Sequence, residues 1–187
     1  MHLAGPLPPI FATTMKIKTA TIIYGVPFWL GLILEIFAVD LFRLTFISTT
    51  VSVALYVVTG LIGFFLLRRK IKGSVKNKFL DLIVSLTWSF VSFGGTLIFL
   101  FLASNYYLAK HDTAKQTFPI VKTGTLGKGF FSSCAQPTVD IEKDGLSKEI
   151  IFKCNLSENI ASYKSIELLT SKGALVFDII KDKQLVE

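Results

Sequence analysis

Charge is sparse in this chain, and catalytic vocabulary is sparser still. Of its 187 residues only 18% are charged while 51% are hydrophobic, and the mean hydropathy is +0.59, too apolar for an ordinary soluble domain. There are two histidines and two cysteines. No G-x-S-x-G, C-x-x-C or zinc-knuckle spacing occurs, which excludes nucleophile-elbow hydrolases, thioredoxin-like redox sites and structural zinc modules. No repeat of about 20 to 50 residues is present, so solenoids and propellers are excluded as well. No sequence motif for a cofactor stands out either.

What the chain does have is three long apolar runs and one concentrated basic stretch. Arg68 to Lys78, RRKIKGSVKNK, carries six cations, Arg68, Arg69, Lys70, Lys72, Lys76 and Lys78, and no acid. With Lys16 and Lys18, and against Asp81, it accounts for the whole net charge of +7. The segment after Asn105 holds eleven lysines and ten acids and is nearly neutral. A spread of basic charge over a soluble surface would point to nucleic acid. Here the excess follows the bias of membrane proteins toward basic cytoplasmic loops, and a nucleic-acid partner is not expected.

Read in order, residues 1–20 are expected to be an irregular cytoplasmic N-terminus, with Pro6, Pro8 and Pro9 crowding its start. Met15-Lys16-Ile17-Lys18 reads as the beginning of a signal-anchor, which would make the preceding fourteen residues an upstream extension. Spans are predicted over about 22–39, 46–67 and 79–104, within a three-span domain covering 21–107. The first has eighteen residues, and at about 1.5 Å rise each it covers roughly 27 Å, close to the hydrocarbon thickness. Asp40 to Thr45 is the predicted outer turn, and 68–78 the cytoplasmic loop. Tyr106 and Tyr107 fit the headgroup belt where the third span leaves the membrane. Ser85, Ser89, Ser92 and Thr96 share one face of the third span, Thr59 and Gly63 one face of the second, so a closely packed three-helix bundle is expected. The hydroxyls are read as bonded back to their own helices. Gly94-Gly95 marks a close contact or a flexible point, and Pro27 a kink opening space beside Gly31 and Glu35.

From residue 108 onward apolar and polar residues alternate with turn punctuation, the signature of β-strands. Strands are predicted near Phe118 to Thr125, Thr138 to Lys143, Lys148 to Cys154, Ser165 to Thr170 and Ala174 to Lys181, forming a small antiparallel, β-sandwich-like extracytoplasmic module over 108–187. Lys143-Asp144-Gly145 and Ser171-Lys172-Gly173 supply hairpin turns. The last strand is apolar on both faces and is expected to be enclosed.

Few residues qualify as candidate sites. Cys134 and Cys154 fall in the exported module and are predicted to form a disulfide. Glu35 is the one carboxylate within a predicted span. It reads either as an interfacial acid paired with Arg43 or as a proton or cation carrier. His111-Asp112 has no nucleophile with a recognisable setting and reads as linker. Gly124, Gly127 and Gly129 imitate a phosphate loop, yet no helix follows them, so nucleotide binding is set aside. No catalytic, cofactor or metal residues are assigned.

The expected protein is therefore a multi-pass protein of a plasma membrane, of the bacterial inner-membrane type, with its N-terminus in the cytoplasm. Its partners are the lipid bilayer and either a protein or further copies of itself through the spans. It presents a non-enzymatic β-module for protein or envelope interaction. The alternatives are a subunit of an ion- or proton-conducting oligomer using Glu35, and an immunity-type inhibitor.

Overall fold

The computed structural model describes residues 10–71, 77–128, 134–156 and 160–187. Helix α1 (Ile10–Arg43) contains a single proline, Pro27. Residues 10–20, expected to be irregular, are accordingly helical. The same helix runs through Asp40 to Arg43, part of the stretch read as a turn. Nothing there breaks it, and Arg43 lies 3.8 Å from Asp40 one turn back. The turn proper occupies residues 44–48. Helix α2 (Thr49–Ile71) follows, with the Val51 N–H donating to the Ser48 hydroxyl at 3.3 Å. Helix α3 (Lys78–Ser89) starts at Asn77, whose side chain accepts from the N–H groups of Phe79 and Leu80, and Asp81 sits in its first turn. Both features offset the unpaired N–H groups and positive dipole of a helix start. A π-helical segment, Phe90–Gly95, joins it to α4 (Thr96–Tyr107). The stretches Tyr24–Arg43, Thr49–Arg68 and Lys78–Tyr107 are each long and apolar enough to cross a membrane.

The chain divides into two compact units, Met1–Glu35 with Tyr56–Leu97 and Ile36–Leu55 with Ile98–Glu187. In the first unit glycine governs the packing. A Cβ on Gly31 would collide with the carbonyl of Val91, and one on Gly95 would come within 2.7 Å of the Gly31 carbonyl. Gly60 and Gly63 receive the rings of Phe90 and Phe93, and Gly94 the ring of Tyr56. Backbones meet here at distances no larger side chain permits. The space expected beside Gly31 is thus filled by the π-helical segment. Ser85, Ser89 and Ser92 are buried as their spacing implied. Thr59 bonds back to its own helix at Tyr56, but the Ser89 hydroxyl donates across to the Gly60 carbonyl at 2.8 Å. Gly31→Ala should therefore lower the unfolding temperature in detergent, consistent with an overpacking cost of about 1–3 kcal/mol. Gly25→Ala, where nothing lies within 4 Å, should leave it unchanged or raised.

The second unit holds two three-stranded antiparallel sheets. One has the order β1 (Thr113–Pro119), β5 (Ser165–Lys172), β6 (Asp178–Val186); the other β2 (Lys122–Leu126), β3 (Gln136–Lys143), β4 (Leu146–Ile151). Among the described residues six strands replace the five expected. The run read as one strand near Phe118 to Thr125 breaks at Ile120-Val121, where the Ile120 N–H donates to Lys164 and the Val121 N–H to Asp140 as the chain leaves one sheet for the other. Pro119 at the end of β1 has no N–H to carry a ladder further. Strand β6 starts four residues later than expected, because Ala174 to Phe177 form the turn. A register shift at Leu169/Thr170 changes the phase of β6, so that Ile180 and Leu185 both meet the apolar cluster, while Ile179 is buried on the opposite face of the strand. Val139, Ile141, Ile150, Phe152, Ile166, Leu168 and Ile180, drawn from both sheets, form one apolar cluster with Phe46 and Ile160. Asp144 and Gly145 turn β3 into β4 with φ of 52° and 74°, the pair of positive φ values that a tight hairpin demands. Cys134 and Cys154 lie at disulfide-bonding distance, with Cα atoms 6.2 Å apart and a sequence separation of 20. They tie together the open end of the β3–β4 hairpin. Alkylation without reductant should leave both unlabelled, and reduction should cost about 3 kcal/mol of stability by the loop-closure relation.

Candidate functional site

The most specific polar chemistry of the second unit gathers where the helix ends meet the β-strands. Residues 44–46 lie antiparallel along the free edge of β6. The Ile180 N–H donates to the Leu44 carbonyl at 2.8 Å, the Phe46 N–H to the Asp178 carbonyl at 2.7 Å, and Thr45 pairs with Ile179. The turn between α1 and α2 is in effect a short additional strand, and Phe46 enters the apolar cluster from it.

Lys148 of β4 secures the same turn from the other sheet. In β4 the side chains of Leu146, Lys148 and Ile150 share the inward phase, which Phe152 continues just after the strand, so a lysine occupies a core position and is 6% exposed. Its ammonium donates to the carbonyls of Phe42 and Thr45 at 2.7 and 2.8 Å and lies 4.4 Å from the centre of the Phe42 ring. The Phe42 carbonyl stands in the last turn of α1, where the helix dipole is negative and cations are favoured. Burial pushes the Lys148 pKa down to about 8, so it remains charged at neutral pH.

Asn105, fully buried near the end of α4, clasps the β5–β6 turn. Its Oδ1 accepts from the Leu175 N–H at 2.9 Å, its Nδ2 donates to the Phe177 carbonyl at 3.1 Å, and its own carbonyl accepts from the Ala174 N–H at 3.2 Å. Gly173 is required beneath it, since a Cβ there would strike the Asn105 side chain. Beside this turn, Asp178 pairs with Lys143 and, at 2.8 Å, with Lys172. Burial works to raise the Asp178 pKa, but the hydrogen bonds and charges of the two lysines outweigh it and hold the carboxyl below its ordinary range. Lys143 also lies 4.8 Å from the Phe46 ring centre. A cleft of about 400 Å³ opens alongside, lined by Phe42, Arg43, Asp140, Lys148 and Glu149 among others. These groups hold carbonyls and each other, an arrangement suited to fixing elements in place.

The candidates drawn from sequence are scattered. Glu35 belongs to the first unit, where it is hydrogen-bonded to the Tyr56 hydroxyl; Arg43, its expected partner, is with Asp40. Arg68 is exposed, its guanidinium 5.2 Å from the Phe64 ring centre. Arg69 and Lys70 belong to α2, with side chains outside the described residues, as are Lys72, Lys76, His2 and Gly129 altogether; Lys78 is the exposed first residue of α3. His111 and Asp112 are exposed, and Gly124 lies in β2 opposite Thr138. Among the described residues no three His, Cys, Asp or Glu side chains gather as a metal site. Lys148 and Asn105 were not singled out from sequence. The signal for Lys148 was present, a lysine in phase with three apolar residues; for Asn105 it was only an amide ending an apolar run. Comparison with known proteins returned no matching family model, no matching curated protein and no matching solved structure.

The Lys148 environment has a pH signature. Its pKa is lower folded than unfolded, so between about pH 8 and its ordinary value of 10.5 the unfolded chain binds the extra proton, and this group makes the fold more stable as pH rises through that window. Comparing denaturant unfolding of wild type and Lys148→Met across it should show the wild type gaining on the variant by on the order of 3 kcal/mol. Parallel profiles would remove this assignment.

Proposed function

We propose that this is a multi-pass membrane protein whose three spans hold a small β-module in fixed register with their extracytoplasmic ends, where the module meets a protein or envelope partner. The observation that carries this reading is the stitching of the module to the helix ends. Strand-like pairing of residues 44–46, the Lys148 cap and the Asn105 clasp would be superfluous for a domain on a flexible tether. They suit one whose exposed surfaces must face a set direction. The shared apolar cluster supports a sandwich of the two sheets, and strands β1 and β2, each at the end of its sheet order, offer backbone groups for strand addition. The basic stretch from Arg68 to Lys78 supports a cytoplasmic placement for that loop and for the N-terminus, in a plasma membrane of the bacterial inner-membrane type.

Labelling with a membrane-impermeant thiol reagent tests the orientation. A cysteine at Lys172 should react in intact cells, and one at Ser74 only after permeabilisation; the opposite pattern would invert the topology. Purification in mild detergent should then retain a partner, and a lone monomer under several conditions would remove that part of the reading.

A second reading rests on Glu35. An acid among span residues, hydrogen-bonded to Tyr56 next to a π-helical segment, suits a proton carrier, since both features recur at functional positions. Under this reading Glu35→Gln abolishes proton flux in reconstituted vesicles, and unaltered flux in the variant excludes it.

A further inference from the structure

The turn between β5 and β6 combines three features that water alone does not favour. Val176 adopts φ of +73°, a conformation costly for a β-branched residue and natural to glycine or asparagine. It is also 78% exposed, and its neighbour Leu175 is 40% exposed. The turn lacks freedom to hide these side chains, because Asn105 binds Ala174, Leu175 and Phe177 and the Phe177 ring lies 5.9 Å from that of Phe101. Phe101 and Asn105 are one helical turn apart on α4, so the β5–β6 turn is held alongside the last stretch of the third apolar helix, over a rise of about 6 Å.

The surroundings are those of a membrane boundary. Tyr107 and Leu108, at the end of the same helix, are each 72% exposed. Lys181 places its ammonium 4.2 Å from the Tyr106 ring centre, and the Lys110 N–H donates to the Lys172 carbonyl, which sets the Lys110 backbone beside the apolar tip, while the Lys172 ammonium is paired with Asp178.

We propose that residues 173–177 form a membrane-dipping turn, with Leu175 and Val176 seated in the headgroup and upper acyl region of the bilayer and Lys110 and Lys181 at the level of the phosphates. This rests on the third apolar helix being a span, as argued above. Lipid is the occupant to which the turn is held: it is bonded to a helix end whose flanks are themselves apolar and aromatic, and burial of a valine and a leucine there supplies the favourable transfer that their exposure to water lacks. The consequence is that the β-module is fixed to the bilayer surface as well as to the helices.

The full-length protein with its disulfide intact, in nanodiscs of phosphatidylcholine and phosphatidylglycerol, provides the test. A single cysteine carrying a small environment-sensitive fluorophore is placed at Val176, at Leu175 as a second position in case the first disturbs the turn, at Leu100 within the helix, and at Lys128 after β2. Bromine-bearing acyl chains should quench the labels at 175 and 176 as they do at 100, several-fold more than at 128, and aqueous iodide should show the reverse order. If 100 is quenched by lipid while 175 and 176 follow 128, the turn stands in water and the inference falls with the span intact. Should 175 and 176 be shielded from both quenchers, protein covers the turn, and lipid as its occupant is overturned. A label at 100 unquenched by lipid would overturn the span itself.

Discussion

The pairing of three backbone residues, 44–46, with the edge of β6 is the constraint on which the second unit depends. An α-helical hairpin has to reverse direction somewhere, and its turn exposes carbonyls and N–H groups with no helical partner. A sheet has to end somewhere, and its last strand exposes the same groups in a row. Here each deficit satisfies the other. The match also fixes register, because Phe46 can enter the apolar cluster only if Leu44 and Phe46 face the hydrogen-bonding positions of Ile180 and Asp178. A slip by one residue would turn Phe46 out of the core.

Around this pairing, buried polar side chains are placed where backbone groups would otherwise go unsatisfied. Lys148 donates to two carbonyls, that of Phe42 in the last turn of α1 and that of Thr45 just beyond it, and Asn105 uses both ends of its amide on the β5–β6 turn. Leaving such a buried group without its partner costs about 1–3 kcal/mol. Burying an ammonium is itself unfavourable, as the lowered pKa of Lys148 records, so its retention in a core phase makes sense only through the carbonyls and aromatic ring it holds. Lys183 follows the same pattern at smaller scale: burial lowers its pKa, and it donates to the Ile151 carbonyl beside the Phe152 ring.

Much of the architecture was legible in the residues. Three apolar runs mark three helices, and alternation with Gly and Asp-Gly punctuation marks the hairpins. The serine spacing on the third helix identified its buried face. What escaped was non-local. That Ala174 to Phe177 would form a turn is invisible in an alternating apolar string; it follows from Asn105, some seventy positions earlier, binding those backbone groups. The continuation of α1 through Arg43 escaped because Asp40 to Thr45, coming after an apolar run, resembles a turn, although Asp40 and Arg43 are helix-compatible and pair one turn apart. Lys148 escaped because eleven lysines in a nearly neutral tail look alike until the strand phase is assigned to each.

The two units resolve the same physical problem by different means. In the first, glycines at 31, 60, 63, 94 and 95 remove side chains so that helices meet through backbone and rings, and the π-helical segment sets the Val91 carbonyl against Gly31. Polar groups there are few and mostly satisfied within the bundle, Ser89 by Gly60 and Glu35 by Tyr56. The second unit keeps its polar side chains and turns them on backbone ends, since a small β-core is marginal by itself and gains from every element it is tied to. Close packing through glycine tolerates almost no substitution at the contact, whereas pairing through backbone leaves the side chains on the far faces free to vary. The sequence constraint that fixes the β-module therefore falls on a handful of positions, Phe46, Asn105, Lys148 and Gly173 among them.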